Sequence, residues 1–549
     1  MKTINQKIKL IDSVSIITQL GKREIVFDEN QVHKMVIDFS KFNEESVDAF
    51  DIQIVFTIPI SAFRNHDYSW VKCNADRIAN EYSPKIIQLS NGVIIQANIT
   101  TGIWEINEKN RKVLLWRFNP EMASTIAHYS GSNNEKVFVR ANQKIDFKEN
   151  PALLFTTKQA IEISRSKIPF SAITVFTDHC DFDTAENVSI QRAFFKENTI
   201  KISKGFFLNH FSKRSDNASF QNDAEELTKW KEDGHELCYH SLSQSIKSEK
   251  DSFDDFYGFV PPFSDIETWI DHGYQPYNLS LFQNKKVANK VYEDTLKEKN
   301  IRTLWNYIDS GTATSGVINQ LNIQHFTLSS FLTGNKDLKL ITRLQLMIKN
   351  IIFHYYNDDV VLLNYKNAAT HFKKLFFQKK AGSVLPLLNS MFKLSAAILP
   401  VFIFWNRNKL KPYKLAKYQP ILFKHLIFEK EFYVFQTLEM VDFKKALSKK
   451  NIDDLIQEKG VFIAHTYFSV PMSYHKGRMF ATSNTIDAVV AENFNYLGAK
   501  IISNEIWNPT LAELVLYWSN FESVVFDIDS KGKLFVKNEY DFIYRAVAG

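Results

Sequence analysis

Cysteine is scarce. Cys73, Cys180 and Cys238 are the only three in 549 residues, and an odd count without Cys-x-x-Cys spacing excludes a disulfide framework and a structural zinc knuckle. Met1 to Leu10 alternate polar and apolar residues and lack a long apolar core or a small-residue cleavage site. No secretory signal is read there, and a reducing, cytoplasmic setting is expected. Disorder is excluded as well, because 45% of the residues are apolar, with 46 Phe, 21 Tyr and 9 Trp. A chain of this length supports roughly two to four domains, each with a full core.

A local absence is more telling. From Val360 to Phe428 there is no Asp or Glu, yet there are twelve Lys and Arg; since the whole chain carries +6, the remainder sums to −6. The basicity is therefore local. Apolar runs interleave with it, Val384 to Leu388 and Leu394 to Trp405, the second about a dozen residues long and too short for the roughly 20 that a membrane-spanning helix needs. Two readings fit: a helical subdomain with a solvated basic face, or peripheral docking at the inner, anionic face of a membrane. Nucleic-acid phosphates would attract the same charges, but no nucleic-acid motif accompanies them, and no such partner is expected.

Residues 1–150 read as a β-rich domain. Phe50 to Ile60, Val93 to Ile106, Lys112 to Phe118 and Val137 to Ile145 are β-branched or aromatic runs between turn clusters, and Trp104 and Trp116 flank a polar turn that would bring them face to face in a hairpin. Ser130 to Asn134 reads as a loop.

The chemistry concentrates after a single run. Ile173, Thr174, Val175 and Phe176 predict a buried strand that ends in Asp178, His179, Asp181 and Asp183. Three carboxylates and an imidazole so close together repel one another unless a cation or shared protons settle them, so a metal or acid/base site is one reading and a solvated turn the other. Strand and helix then alternate: Ile200 to Asn209 as a second strand before His210, Asp223 to Glu232 as a helix capped by Gly234, and His235 to Gln244 as a third strand with a second polar cluster. That alternation predicts parallel strands with crossover helices, an α/β architecture.

This order of elements resembles the polysaccharide deacetylases. Thr177-Asp178-His179 stands where that family has Asp-Asp, His240-Ser241-Leu242-Ser243-Gln244 where it has His-Ser/Thr-x-x-His, and Phe462-Ile463-Ala464-His465 where it has Leu-x-His. The resemblance covers about residues 165–310 and again 455–520. It implies a distorted (β/α) barrel, made of residues 151–334 and completed by 456–549, around a helical basic insertion at 335–455. It further implies a hydrolase acting on the C–N bond of an N-acetylated sugar in a bacterial surface polysaccharide or lipid-linked glycan. Asp178 would be the general base, His465 the general acid, and Asp309 a residue that orients a partner.

The chain departs from the family at two ligand positions, where His179 replaces an Asp and Gln244 a His. A rearranged set of His179, Asp181 or Asp183, and His240 would give two nitrogens and one oxygen, the ligand count of a catalytic zinc or similar divalent ion with a position left open. The other reading is a metal-free barrel that binds glycan or serves as a scaffold; hydrolysis of a different amide is a third. Asp183, His210, Asp271, His272, Tyr274 and Trp305 are the expected substrate contacts, with Asp271 and its neighbour His272 offering a carboxylate–imidazole pair.

Overall fold

The computed structural model describes all residues except 1–9, 26, 28–31, 39–47, 131–134, 146, 215, 283–288, 313–317, 357, 470–477 and 539. The amino-terminal alternation and the loop at 131–134 lie outside the described residues.

The front of the chain folds as two six-stranded antiparallel sheets packed face to face. Alternation explains the packing: in the strand Phe50–Phe56 every second residue is buried, so Phe50, Ile52, Ile54 and Phe56 enter the shared core. The expected hairpin is present, with Trp104 opposite Trp116 and their rings 5.8 Å apart at 80°. The strand Gln159–Ile163, which leads out of this sandwich, pairs with Tyr544–Ala548 and so ties down the end of the chain.

Seven parallel strands form the second body: Ala172–Asp178, Ser203–Phe206, Glu236–His240, Thr268–Ile270, Thr303–Thr312, Glu431–Glu439 and Val461–Thr466. Each pairs with the next, and the seventh and second both pair with the first, so the ring is closed. This corrects the distorted barrel of the deacetylase type that the resemblance implied. The closing contact depends on Gly205, where a Cβ would come within 2.2 Å of the Asp178 carbonyl oxygen. Side chains alternate along each strand: Phe176, Tyr239, Trp269, Leu304, Val434 and Phe462 pack outward against the helices, while Val175, Cys238, Ile270, Trp305, Phe435 and Ile463 belong to an inner core.

Two boundaries differ from expectation. The sixth barrel strand, Glu431–Glu439, lies inside the stretch 335–455 read as an insertion, so the helical part ends before the strand Leu422–Leu426 that pairs with it. The apolar runs at Val384 and Leu394 are one helix, Val384–Ile403, in which Lys393 is the single charge, Pro386 sits in the first turn, where proline is tolerated, and Pro400 lies in the last turn. Near the end of the chain, Gly498 lies within the helix Ala488–Ile502, where a Cβ would meet the Asn198 carbonyl oxygen at 2.4 Å.

Candidate metal and acid/base site

The period of two that builds the barrel also selects its polar residues. Continuing the inner positions toward the strands' carboxyl ends gives His240 after Cys238, His272 after Ile270, Thr437 and Glu439 after Phe435, and His465 after Ile463. All gather at the carboxyl mouth of the ring, where parallel barrels place their chemistry. His179, two residues past Thr177, completes the circle. Its ring lies 4.8 Å from His240, 3.9 Å from His465 and 4.6 Å from Trp305, centre to centre.

Asp181 is the hub. One carboxylate oxygen lies 3.0 Å from His240 Nε2 and the other 2.9 Å from His272 Nδ1. Burial opposes its charge, yet the two imidazoles hold its carboxyl well below the usual range. Burial lowers His240 against the pull of Asp181, and it holds His179 well below its ordinary value, helped by repulsion from His465 and His240. His179 is thus a neutral imidazole, and its Nε2 is buried with no hydrogen-bond partner. One ligand atom each from His179, Asp181 and His240 lies within 4.8 Å of the others. An orphaned imidazole nitrogen beside a carboxylate and a second imidazole fits a divalent cation of the zinc class, the donor set expected for it.

A second imidazole pair adjoins this cluster. His465 Nδ1 lies 3.3 Å from Asp309, which in turn accepts from Thr437 at 2.8 Å, and Thr437 accepts from the indole of Trp305 at 3.0 Å. Burial lowers the His465 pKa, but Asp309 and Glu439 outweigh it and the net shift is upward. His465 Nε2 is left buried and unpartnered, beside His179.

The structure separates residues that the sequence placed together. Asp178 continues the outward register of Phe176, so it leaves the barrel wall on the helix side, where it pairs with Lys204. Asp183, expected to touch substrate, shares the same ammonium and accepts from Gln191 at 3.0 Å and Ser469 at 2.6 Å. One lysine thus serves two buried carboxylates, and burial pushes Asp178 up to about 7 despite Lys204. Asp271 does not pair with His272: it accepts from the indole of Trp269 and the backbone of Leu279 and Ser280, and the carboxylate partner of His272 is Asp181. Gln244 is not near the cluster through its amide, which accepts from Ser212 and Ser245; only its backbone carbonyl reaches His272, at 2.8 Å. His210 binds Ser219 away from the mouth, whereas Tyr274, partly exposed, stands edge-on to Tyr129 at 5.9 Å.

Sequence reasoning missed Lys204, Glu439, Thr437, Tyr129 and Tyr467. For Lys204 a signal existed: a lysine inside a run read as a buried strand needs a carboxylate partner. Local strain marks the site too. Ser241, next to His240, has φ of +52°, a left-handed value locked by its hydroxyl bonding Asn278 at 2.8 Å and accepting from the His272 backbone at 2.9 Å.

No protein-family model matches the chain, and no curated protein matches it. Two solved structures do, a xylosidase from Aspergillus niger and a Flavobacterium johnsoniae GH31 dextranase mutant complexed with isomaltotriose, at 10% and 8% identity. Each match covers 55% of this chain and 42% of the other, with a TM-score of 0.19. The chain spans less than half the length of these neighbours. Both are glycoside hydrolases and neither is a deacetylase, but likenesses so slight carry no argument about chemistry.

Proposed function

We propose that the chain is an enzyme, a metal-dependent hydrolase that removes the acetyl group from an N-acetylated sugar of a bacterial surface polysaccharide or lipid-linked glycan. The observation that carries this reading is His179, Asp181 and His240 with one ligand atom each within 4.8 Å of the others, His179 having a buried Nε2 without a hydrogen-bond partner. A divalent ion held by these three would polarise the acetamide carbonyl and lower the pKa of the attacking water. His272 orients Asp181 from behind. The rings of Trp305, Tyr307 and Tyr467 around the mouth suit the apolar face of a pyranose.

Proton transfer belongs to His465 in this reading. Its free Nε2 takes the proton of the attacking water and returns it to the departing amine nitrogen as the C–N bond breaks, leaving acetate and a free amine. Asp309 fixes the ring through Nδ1 and stabilises the imidazolium formed between the two transfers. The base role expected of Asp178 passes to His465, because Asp178 lies on the outer side of the wall and is committed to Lys204.

The second reading, a glycan-binding barrel without hydrolysis, is favoured by the same commitment of Asp178. Acetate release from acetylated glucosamine oligomers, measured with purified protein before and after chelation and zinc return, separates the two. Zinc-restored release supports the enzyme; glycan binding that ignores metal, with no acetate, supports the binding protein. Release of reducing ends without acetate would move the reaction to a glycosidic bond.

A further inference from the structure

The helix Val384–Ile403 turns its apolar side outward. Leu385, Phe392 and Ile403 are 78, 75 and 71% exposed, and Leu388 and Leu399 between them are exposed as well. At spacings of three, four and seven residues these positions form one stripe along a helix about 30 Å long. The opposite side is occupied: Leu387, Ser390 and Val401 are buried, and Tyr356 donates its hydroxyl proton to the Ala397 carbonyl at 2.7 Å. The preceding helix, Asp359–Phe376, runs back along it and ends in exposed Phe376 and Phe377. Exposed Lys373, Lys379, Lys380, Lys393 and Arg407 border this apolar surface, in a stretch without a carboxylate from 360 to 428.

We infer that this helical pair is a docking surface for an anionic lipid bilayer, with Val384–Ile403 lying in the plane of the interface and its stripe among the acyl chains. Long basic side chains reach from such a depth to the phosphate layer with their stems buried. Length and composition would also allow this helix to cross a bilayer. Its inner side, however, is held against its own protein, and the neighbouring helix carries Asp359, Lys366, Lys373 and Lys374, which would enter the hydrocarbon. A second copy of the chain is a poorer occupant, since two surfaces bordered by the same positive charge repel. The charge selects an acidic headgroup. This inference stands independently of the hydrolytic reading.

The test is co-sedimentation of the full chain with vesicles of phosphatidylcholine, alone or with about one-third phosphatidylglycerol. Binding should be about tenfold stronger to the anionic vesicles, and the pair Phe392→Glu and Leu399→Glu should weaken it about tenfold with the melting temperature unchanged. Lys379→Glu with Lys380→Glu should weaken it too. The native cysteines are all buried, so a polarity-sensitive dye on Phe392→Cys reads insertion directly as a blue shift on anionic vesicles. Binding that survives the Phe392/Leu399 pair would overturn the inference. So would no binding at low salt, or a dimer that this pair dissolves in the absence of vesicle binding.

Discussion

Asp178 and Asp181 are three residues apart, and the barrel wall runs between them. On the outer side Asp178 and Asp183 surround Lys204, with Gln191 and Ser469 filling the remaining bonds, so the polar groups satisfy one another. On the inner side Asp181 meets His240 and His272, while His179 and His465 keep buried nitrogens without partners. A satisfied network holds a fold; an unsatisfied one waits for a ligand. The contrast is between a cluster whose bonds are met and one with open imidazole nitrogens, although Asp178 and Asp181 stand so close in the chain.

The outer cluster should break hardest. Lys204→Met strands two buried carboxylates and is expected to cost about 3–5 kcal/mol, read as a fall in the thermal or denaturant midpoint. On the inner side, His240→Ala should abolish metal binding, measured by elemental analysis, and lower acetate release about a thousandfold with little change in melting temperature. His465→Ala should keep the metal and lose about a hundredfold or more in rate. Asp178→Asn sharpens the division further: hydrolysis should stay within about tenfold of the parent, whereas a thousandfold loss would restore Asp178 as the base.

A pH-dependent effect lies away from both clusters. Burial lowers His425 to about 3, and His128 and His235 each to about 4. Their unfolded-state values are near 6.5, so the unfolded chain binds protons first as the pH falls. Stability should drop below about pH 6.5, by about 1.4 kcal/mol per pH unit and per histidine, until the folded values are reached. Denaturant melts of His425→Gln between pH 7 and 4 should show a shallower decline than the parent.

Much of this was legible in the residues. The Trp104 and Trp116 hairpin, the buried strand before Asp178, the strand ends at His240 and His465, and the parallel alternation all come from short-range periodicity. His179, Asp181 and His240 could be named as candidate ligands through the family resemblance, and the fold brings one ligand atom of each within 4.8 Å of the others. What escaped was pairing across distance: Asp271 beside His272 in sequence turned to backbone amides, and His272 found Asp181 ninety-one positions earlier. The sixth barrel strand hid behind a basic helical stretch, and the apolar helix in that stretch looked shorter because Lys393 divided it.

By itself the sequence determined which segments extend, which coil, and where polar side chains interrupt apolar ones, because those properties depend on neighbours within a few residues. Only the tertiary structure decided which side of the wall each polar group faces. Closing seven strands into a ring assigns alternate residues to the inside or the outside, and that assignment makes Asp178 a partner of Lys204 and His179 a neighbour of His240 and His465.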